Sequence, residues 1–252
     1  LAGSAGVTSA VSSSFTVSAA SAAQLAFVQE PSAVVAGSTI SPAVTVQLRD
    51  QYGNAVTTSG VSVTMTLSSG TGALSGTLVQ STNSSGAASF SNLSVNLTGA
   101  KALTASASGV SAAVSSSFTI TAATVSQLAF IQQPTAAVAG DTIRPAVTVQ
   151  LRDAFGNNVG TSGVTVTLAL ASGTGSLTGT TSTTTNFSGT ATFANLSVNL
   201  SGSKTIGASS TGLAGATSDA FLISPGAATQ LAFVQQPTTT VATATIVPAV
   251  TV

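Results

Sequence analysis

Along most of the chain apolar and polar residues alternate with a period of two. Val44, Val46 and Leu48 alternate with Thr45, Gln47 and Arg49, and Val61, Val63, Met65 and Leu67 with Ser62, Thr64 and Thr66. This is the pattern of strands with one buried face. Val164, Val166, Leu168 and Leu170 repeat it. Ala88 and Phe90 share one parity, whereas Leu93, Val95 and Leu97 have the other, which predicts a bulge or bend near Ser91 and Asn92, and again near Ala194 and Asn195. Leu103, Ala105 and Ala107, then Val114, Phe118 and Ile120, supply two last strands. Gly53 with Asn54, Gly70 with Gly72, Ser85 with Gly86, and Gly109 mark the turns between them. No segment carries a sustained 3.6-residue period with caps, so helices have no foothold.

The same pattern recurs as a block. Gln24, Leu25, Ala26 and Phe27 return as Gln127, Leu128, Ala129 and Phe130 and again as Gln230, Leu231, Ala232 and Phe233, always 103 residues on. Residues 24–126 and 127–229 align without a gap and are identical at 59 of 103 positions, which makes them two copies of a whole domain and not units of a solenoid. Residues 1–23 match the closing strands of such a repeat, and 230–252 match its opening strands. Neither fragment closes a domain, so the chain reads as a window on a longer array. About seven short strands in about 100 residues, with turns every 8 to 12 positions, predict an all-β, immunoglobulin-like sandwich for each complete repeat.

Charge then narrows the chemistry. Of 252 residues, five are Lys or Arg and five Asp or Glu, with no His or Cys. Without imidazole or thiol there is no Ser/His/Asp triad, no cysteine nucleophile and no Cys/His zinc site. A balanced charge of +0 lacks the clustered cations that a nucleic acid requires. No apolar run reaches the roughly 18 residues of a membrane-spanning helix. Charged residues are 4% of the chain, against about 25% in ordinary soluble domains. With 40 Ser and 41 Thr, hydroxyls replace charges on the solvated faces.

The segments VTVQLRDQYGNAV at 44–56, STNSSGAASF at 81–90 and GAKALTASA at 99–107, with VTVQLRDAFGNNV at 147–159 and TNFSGTATF at 185–193, resemble the bacterial immunoglobulin-like repeats of invasin and intimin type. The strongest mark is a strand ending in Asp, followed by an aromatic, Gly and Asn. The resemblance implies tandem stalks on bacterial surface adhesins or extracellular fibres. The poverty of charge departs from that family, so no receptor and no interdomain metal is carried over.

Asp50 with Asn54, and Asp153 with Asn157, have two readings: part of a calcium loop, or a turn in which the Asp caps backbone amides while Gly53 or Gly156 takes a positive φ. Calcium takes six to eight oxygens and each turn offers one carboxylate, which favours the cap. Lys101 and Lys204 open a later strand; they read either as isopeptide cross-linkers, with Asp50 the acid at hand, or as lysines blunting strand ends. Asn83, Asn92, Asn96, Asn186, Asn195 and Asn199 each stand two residues before Ser or Thr, a glycan sequon that chance produces readily in such a sequence. O-linked sugar at 180–185 is a further expectation. Ranks such as Thr165 with Thr167, and Thr183 with Thr185, raise a carbohydrate- or ice-binding face.

The expectation is therefore non-catalytic: a secreted or cell-surface structural chain of sandwich domains arranged as a rod, needing no cofactor. Its partners are further repeats, other copies of itself or matrix polysaccharide, with bundling or strand donation by 1–20 or 230–252 as routes to filaments. The alternative is a carbohydrate- or ice-binding surface module.

Overall fold

The computed structural model describes residues 6–8 and 10–252, so Leu1, where the expected opening fragment starts, lies outside the described residues. The chain divides into two compact units. One is Leu1–Thr124 with Asp153–Asn157, the other Val125–Arg152 with Asn158–Val252.

The first repeat contains β1 (Gln24–Gln29), β2 (Val34–Val35), β3 (Val44–Arg49), β4 (Ser62–Ser69), β5 (Leu74–Ser75), β6 (Val79–Ser81), β7 (Ala87–Phe90), β8 (Ser94–Val95), β9 (Gly99–Ser106), β10 (Ala113–Val114) and β11 (Phe118–Thr121). Seven of these have three residues or more, matching the expected count; the other four are two-residue ladders. Every one recurs 103 residues later, from Gln127–Gln132 to Phe221–Ser224. No helix occurs among the described residues.

One sheet has the order β1-β3-β7 and the other β2-β11-β9-β4-β6, with β10 also on β9. The inward parity of each sheet supplies one core. Val44, Val46, Leu48, Ala88 and Phe90 from the first sheet meet Val63, Met65, Leu103, Ala105, Phe118 and Ile120 from the second. Both members of this face-to-face pair bury alternate side chains, which is what makes a sandwich. The second repeat builds the same core from Val147, Val149, Leu151, Ala191 and Phe193 against Val166, Leu168, Ile206, Ala208, Phe221 and Ile223.

The predicted parity slip is real, and its form is a departure from the sheet. β7 stops at Phe90 and β8 pairs with β5 instead, Leu74 opposite Val95. The Asn92 side chain fixes the corner: its carbonyl accepts from the Thr77 N–H and its amide donates to Thr77 Oγ1. The break therefore lets Phe90 and Leu93 both point into the core despite their opposite parity.

The expected alternation fails at Gln47 and Gln150, placed outward with Thr45 and Arg49 but buried. Gln47 Nε2 donates to the carbonyls of Ser85 and Val56, so it closes the space under two turns that the sequence does not reveal as neighbours. Beside it Gly86, at φ 75°, comes so close to the Val56 carbonyl that a Cβ would overlap the oxygen.

The flanking fragments do not form the strands expected of them. Ser12–Ala20 carries no strand, and Phe15 is 84% exposed where its counterpart Phe118 is buried. The counterpart pairs with β9, and 1–23 contains no equivalent of β9. Residues 230–252 hold only an isolated bridge between Gln235 and Thr251, because β1 of a repeat needs the whole of β3 and then β7 beside it.

Phe90→Ala should cost about 3–5 kcal/mol of the first domain's stability, as large-to-small changes in a closed core do. Gly109 also has positive φ, 77°, but open space around it, so Gly109→Ala should cost only the conformational strain, about 1–2 kcal/mol. Gly86→Ala should cost clearly more; urea unfolding of the two variants separates clash from strain, and equal losses would contradict the close approach.

Candidate functional site

The aspartate at the end of β3 organises the most connected polar group of each repeat. Gly53 takes φ 87°, and the chain doubles back so that the Gly53 N–H reaches the Asp50 carbonyl and the Asp50 N–H reaches the Asn54 carbonyl. One carboxylate oxygen of Asp50 accepts from the Tyr52 and Asn54 N–H groups. The other accepts from the Asn54 side-chain amide at 2.9 Å and from the Ala20 N–H at 3.0 Å. Asp153 repeats all four bonds with Phe155, Asn157 and Ala123. Arg49 Nη1 braces the turn on the Gly53 carbonyl at 2.7 Å, while the buried Nε of Arg49 and of Arg152 has no partner.

This geometry is that of the capping reading of the turn. A carboxylate offers about four acceptor positions, and N–H groups occupy four here. The oxygens of Asp50 and Asp153 face donors, and donors repel a cation. Asp50 with Asn54, and Asp153 with Asn157, thus lie together in a capped turn, the reading that the single carboxylate favours. Among the described residues no cluster of three or more acidic, His or Cys side chains occurs.

The same donors act on protonation. The Asn54 side-chain amide, with the N–H groups of Ala20, Asn54 and Tyr52, outweighs burial and lowers the Asp50 carboxyl from 3.8 to about 2. At Asp153 burial is the largest influence and pushes upward; the Asn157 amide and the N–H groups of Ala123, Asn157 and Phe155 together overcome it, and the net direction is down.

Lys101 and Lys204 are corrected more sharply. They do not blunt exposed strand ends. Both are buried to 1% exposure, Lys101 on the inward parity of β9 with Leu103 and Ala105, and Lys204 on that of the matching strand Gly202–Ser209 with Ile206 and Ala208. Lys101 Nζ donates to the Thr98 carbonyl at 2.8 Å, and Lys204 Nζ to the Ser201 carbonyl at 2.9 Å. The Asp50 carboxylate is engaged by its own turn and by Ala20, so the acid named for an isopeptide bond is not paired with either lysine. The parity was the available signal: a Lys two residues before Leu103 and four before Ala105 belongs to the core face.

The sequon asparagines are structural. Asn83 caps the Ser85 and Ala87 N–H groups, Asn92 holds Thr77, and Asn96 accepts from Ala73. Asn186, Asn195 and Asn199 make the matching bonds. The hydroxyl rank at Thr183 and Thr185 is broken, since Thr185 is buried between the Val164 N–H and the Thr161 carbonyl. Thr165 and Thr167 are exposed and line an open groove of about 330 Å³ with Ser209, Ser210 and Thr211.

With this geometry in place, comparison with known proteins bears on the fold. Residues 21–120 match the family described as SMCHD1 Ig-like domain 6. Each complete repeat has the fold of an immunoglobulin-like sandwich. No curated protein sequence matches the chain. Similar solved structures include the adhesin InvE of Yersinia pseudotuberculosis, at 19% identity over 79% of this chain and 58% of that one, TM-score 0.32. The Escherichia coli adhesin FdeC is 20% identical over 83% and 65% of the two chains, TM-score 0.35. A C-terminal intimin fragment, solved with the intimin-binding domain of its receptor Tir, is 18% identical over 82% and 64%, TM-score 0.31. The chain spans less than two thirds of each of these structures.

A carboxyl depressed in the folded state stabilises fully above its unfolded value and loses that contribution as pH falls through the folded one. For Asp50 the window runs from about 4 down to about 2. Thermal melting should show the first domain losing stability across that window, and Asp50→Asn should flatten the loss; an unchanged acid profile in the variant would contradict the assignment. Intact mass should equal that of the unmodified sequence, whereas loss of an ammonia or a water would reveal a cross-link at Lys101 or Lys204.

Proposed function

We propose that the chain is a non-catalytic, tension-carrying part of a bacterial extracellular adhesin or fibre, built from tandem Ig-like domains at the cell surface. The observation that carries this reading is how each repeat ties its two ends together. β2, near the start, pairs in parallel with β11, at the end, through Val34 opposite Ile120 and Val35 opposite Thr121. The Ala36 N–H extends the ladder to the Thr121 carbonyl at 2.8 Å. A parallel pair pulled from opposite ends of a domain is loaded in shear, so its hydrogen bonds resist together and do not open one at a time. The second repeat has the same ladder, Ala137 opposite Ile223 and Val138 opposite Ser224.

Two further features support it. The motif resemblance to invasin- and intimin-type repeats points to the same setting. Differences between the repeats collect on exposed positions, such as Ser68 against Ala171 and Ser84 against Phe187, while the glycine turns are kept and the core changes only between apolar residues, Met65 against Leu168 and Leu103 against Ile206. Interchangeable modules suit a role in which repeat number sets length.

Force spectroscopy on the full chain should give two unfolding events of similar force, each releasing on the order of 350 Å of contour, the extended length of one repeat. Ala36→Pro removes the N–H of the ladder's last bond and should lower one of the two forces while leaving the other. Unfolding of both domains at the force of a helical reference domain would sink the proposal.

The exposed groove of Thr165, Thr167, Ser209, Ser210 and Thr211 favours a second reading, a carbohydrate-binding surface. Carbohydrate sites ordinarily add an aromatic platform, which no residue lining this groove supplies. Binding of the chain to a polysaccharide array, abolished by Thr167→Val, would establish this reading.

A further inference from the structure

The fold treats the six sequon asparagines in three different ways. Asn92 and Asn195 have both ends of the carboxamide engaged: each Oδ1 accepts from the N–H of Thr77 or Thr180, and each Nδ2 donates to the same threonine's Oγ1, at 3.0 and 3.1 Å. Asn96 and Asn199 reach across to another loop, where Oδ1 takes the Ala73 or Ser176 N–H at 2.7 Å. Asn83 and Asn186 fold back on their own motif. Asn83 Oδ1 accepts from the N–H of Ser85, the hydroxyl residue of that motif, at 2.9 Å and from Ala87 at 3.1 Å. Asn186 Oδ1 does the same with Ser188 and Thr190, at 2.9 and 3.0 Å. Among the described residues, neither their Nδ2 nor the hydroxyl of Ser85 or Ser188 has a hydrogen-bond partner.

The turn beneath is held from inside. Gln47 Nε2 donates to the Ser85 carbonyl at 2.9 Å and the Gly86 N–H closes on the Asn83 carbonyl at 2.9 Å; Gln150 and Gly189 repeat both bonds. Asn83, Ser84 and Ser85 are exposed, as are Asn186, Phe187 and Ser188. An end of the chain does not produce this exposure, since a complete repeat follows the first turn and a complete repeat precedes the second, and both turns are open. The turn uses the Asn side-chain oxygen and the Ser backbone. It does not use the Ser hydroxyl, which stays at 85 and 188 while the residue before it changes from Ser84 to Phe187.

We propose that Asn83 and Asn186 are glycan acceptors of the folded chain, each taking a sugar on Nδ2 from a donor activated as a glycosyl phosphate or diphosphate. An amide nitrogen is a poor nucleophile because its lone pair is delocalised onto the oxygen. Here two N–H groups already point at Oδ1, where negative charge gathers when a base of the transferring enzyme removes one Nδ2 proton. The nitrogen then bonds the anomeric carbon, the bond from that carbon to the phosphate oxygen breaks, and the phosphate leaves with the electron pair. The second Nδ2 proton stays and Oδ1 keeps both turn bonds, so the cap survives the modification. This goes beyond the tension-carrying role and does not depend on it.

The test starts from the unmodified full chain and a soluble, sequon-directed N-glycosyltransferase chosen because it modifies the free 81–90 peptide, with a nucleotide-activated hexose as donor. Intact mass should rise by two hexoses, and peptide mapping should place them at Asn83 and Asn186. Asn83→Gln and Asn186→Gln should each lose one. Because Asn83→Gln also removes a cap, Ser85→Ala serves as the second variant: it keeps the backbone cap, lacks the hydroxyl, and should lose the same hexose with an unchanged melting temperature. A folded chain that gains no sugar, or carries it at Asn92, Asn96, Asn195 or Asn199, overturns the proposal.

Discussion

Asp50 and Asp153 sit where three parts of each repeat have to meet: the end of the central strand, the turn that follows it, and the segment that leads into the domain. A single carboxylate serves all three because its oxygens accept from the turn backbone, from the turn asparagine and from Ala20 or Ala123. The position of the entry segment then sets the register of β1 on β3, with Gln24 opposite Arg49 and Leu25 opposite Leu48. Once β1 is placed, the three-stranded sheet has its inward face and the core can close on it. The depressed carboxyl at Asp50 is the electrostatic trace of the same network.

The charge economy has a similar logic. Four of the ten formal charges, Asp50, Asp153, Lys101 and Lys204, are buried in internal braces. That leaves the outside even more nearly neutral than the composition indicates, wetted by Ser and Thr hydroxyls and by backbone. A surface of this kind has little long-range repulsion. Within each repeat the structure relies instead on local shape and on backbone hydrogen bonds, among them the parallel ladder that joins the start of the domain to its end.

Much of the fold was legible because a half-buried strand imposes a period of two that no other requirement obscures. Val44, Val46 and Leu48, Val63 and Met65, and Phe118 and Ile120 fall on the core where alternation places them. The capped turn was legible from Asp, Gly and Asn, each of which has a local reason to be there. What misled were polar residues. Gln47 and Thr185 look like solvent-facing positions, but their partners, Ser85 and Thr161, are brought to them by separate turns. Lys101 obeys the parity of its strand, although its charge argues for the surface. The capping role of Asn92 was not legible, because its target, Thr77, lies 15 residues away in sequence.

The amino-acid sequence by itself determined the class of fold, the 103-residue module, the glycine turns and the absence of imidazole and thiol chemistry, since these follow from local period, inventory and self-similarity. Only the tertiary structure decided which polar groups are interior, that the carboxylates collect N–H donors from the turn and the entry segment, and that the turn at 153–157 meets the loop at 96–98. Those outcomes depend on residues from distant strands converging on one point, and convergence is a property of the folded sheets that no local pattern along the chain contains.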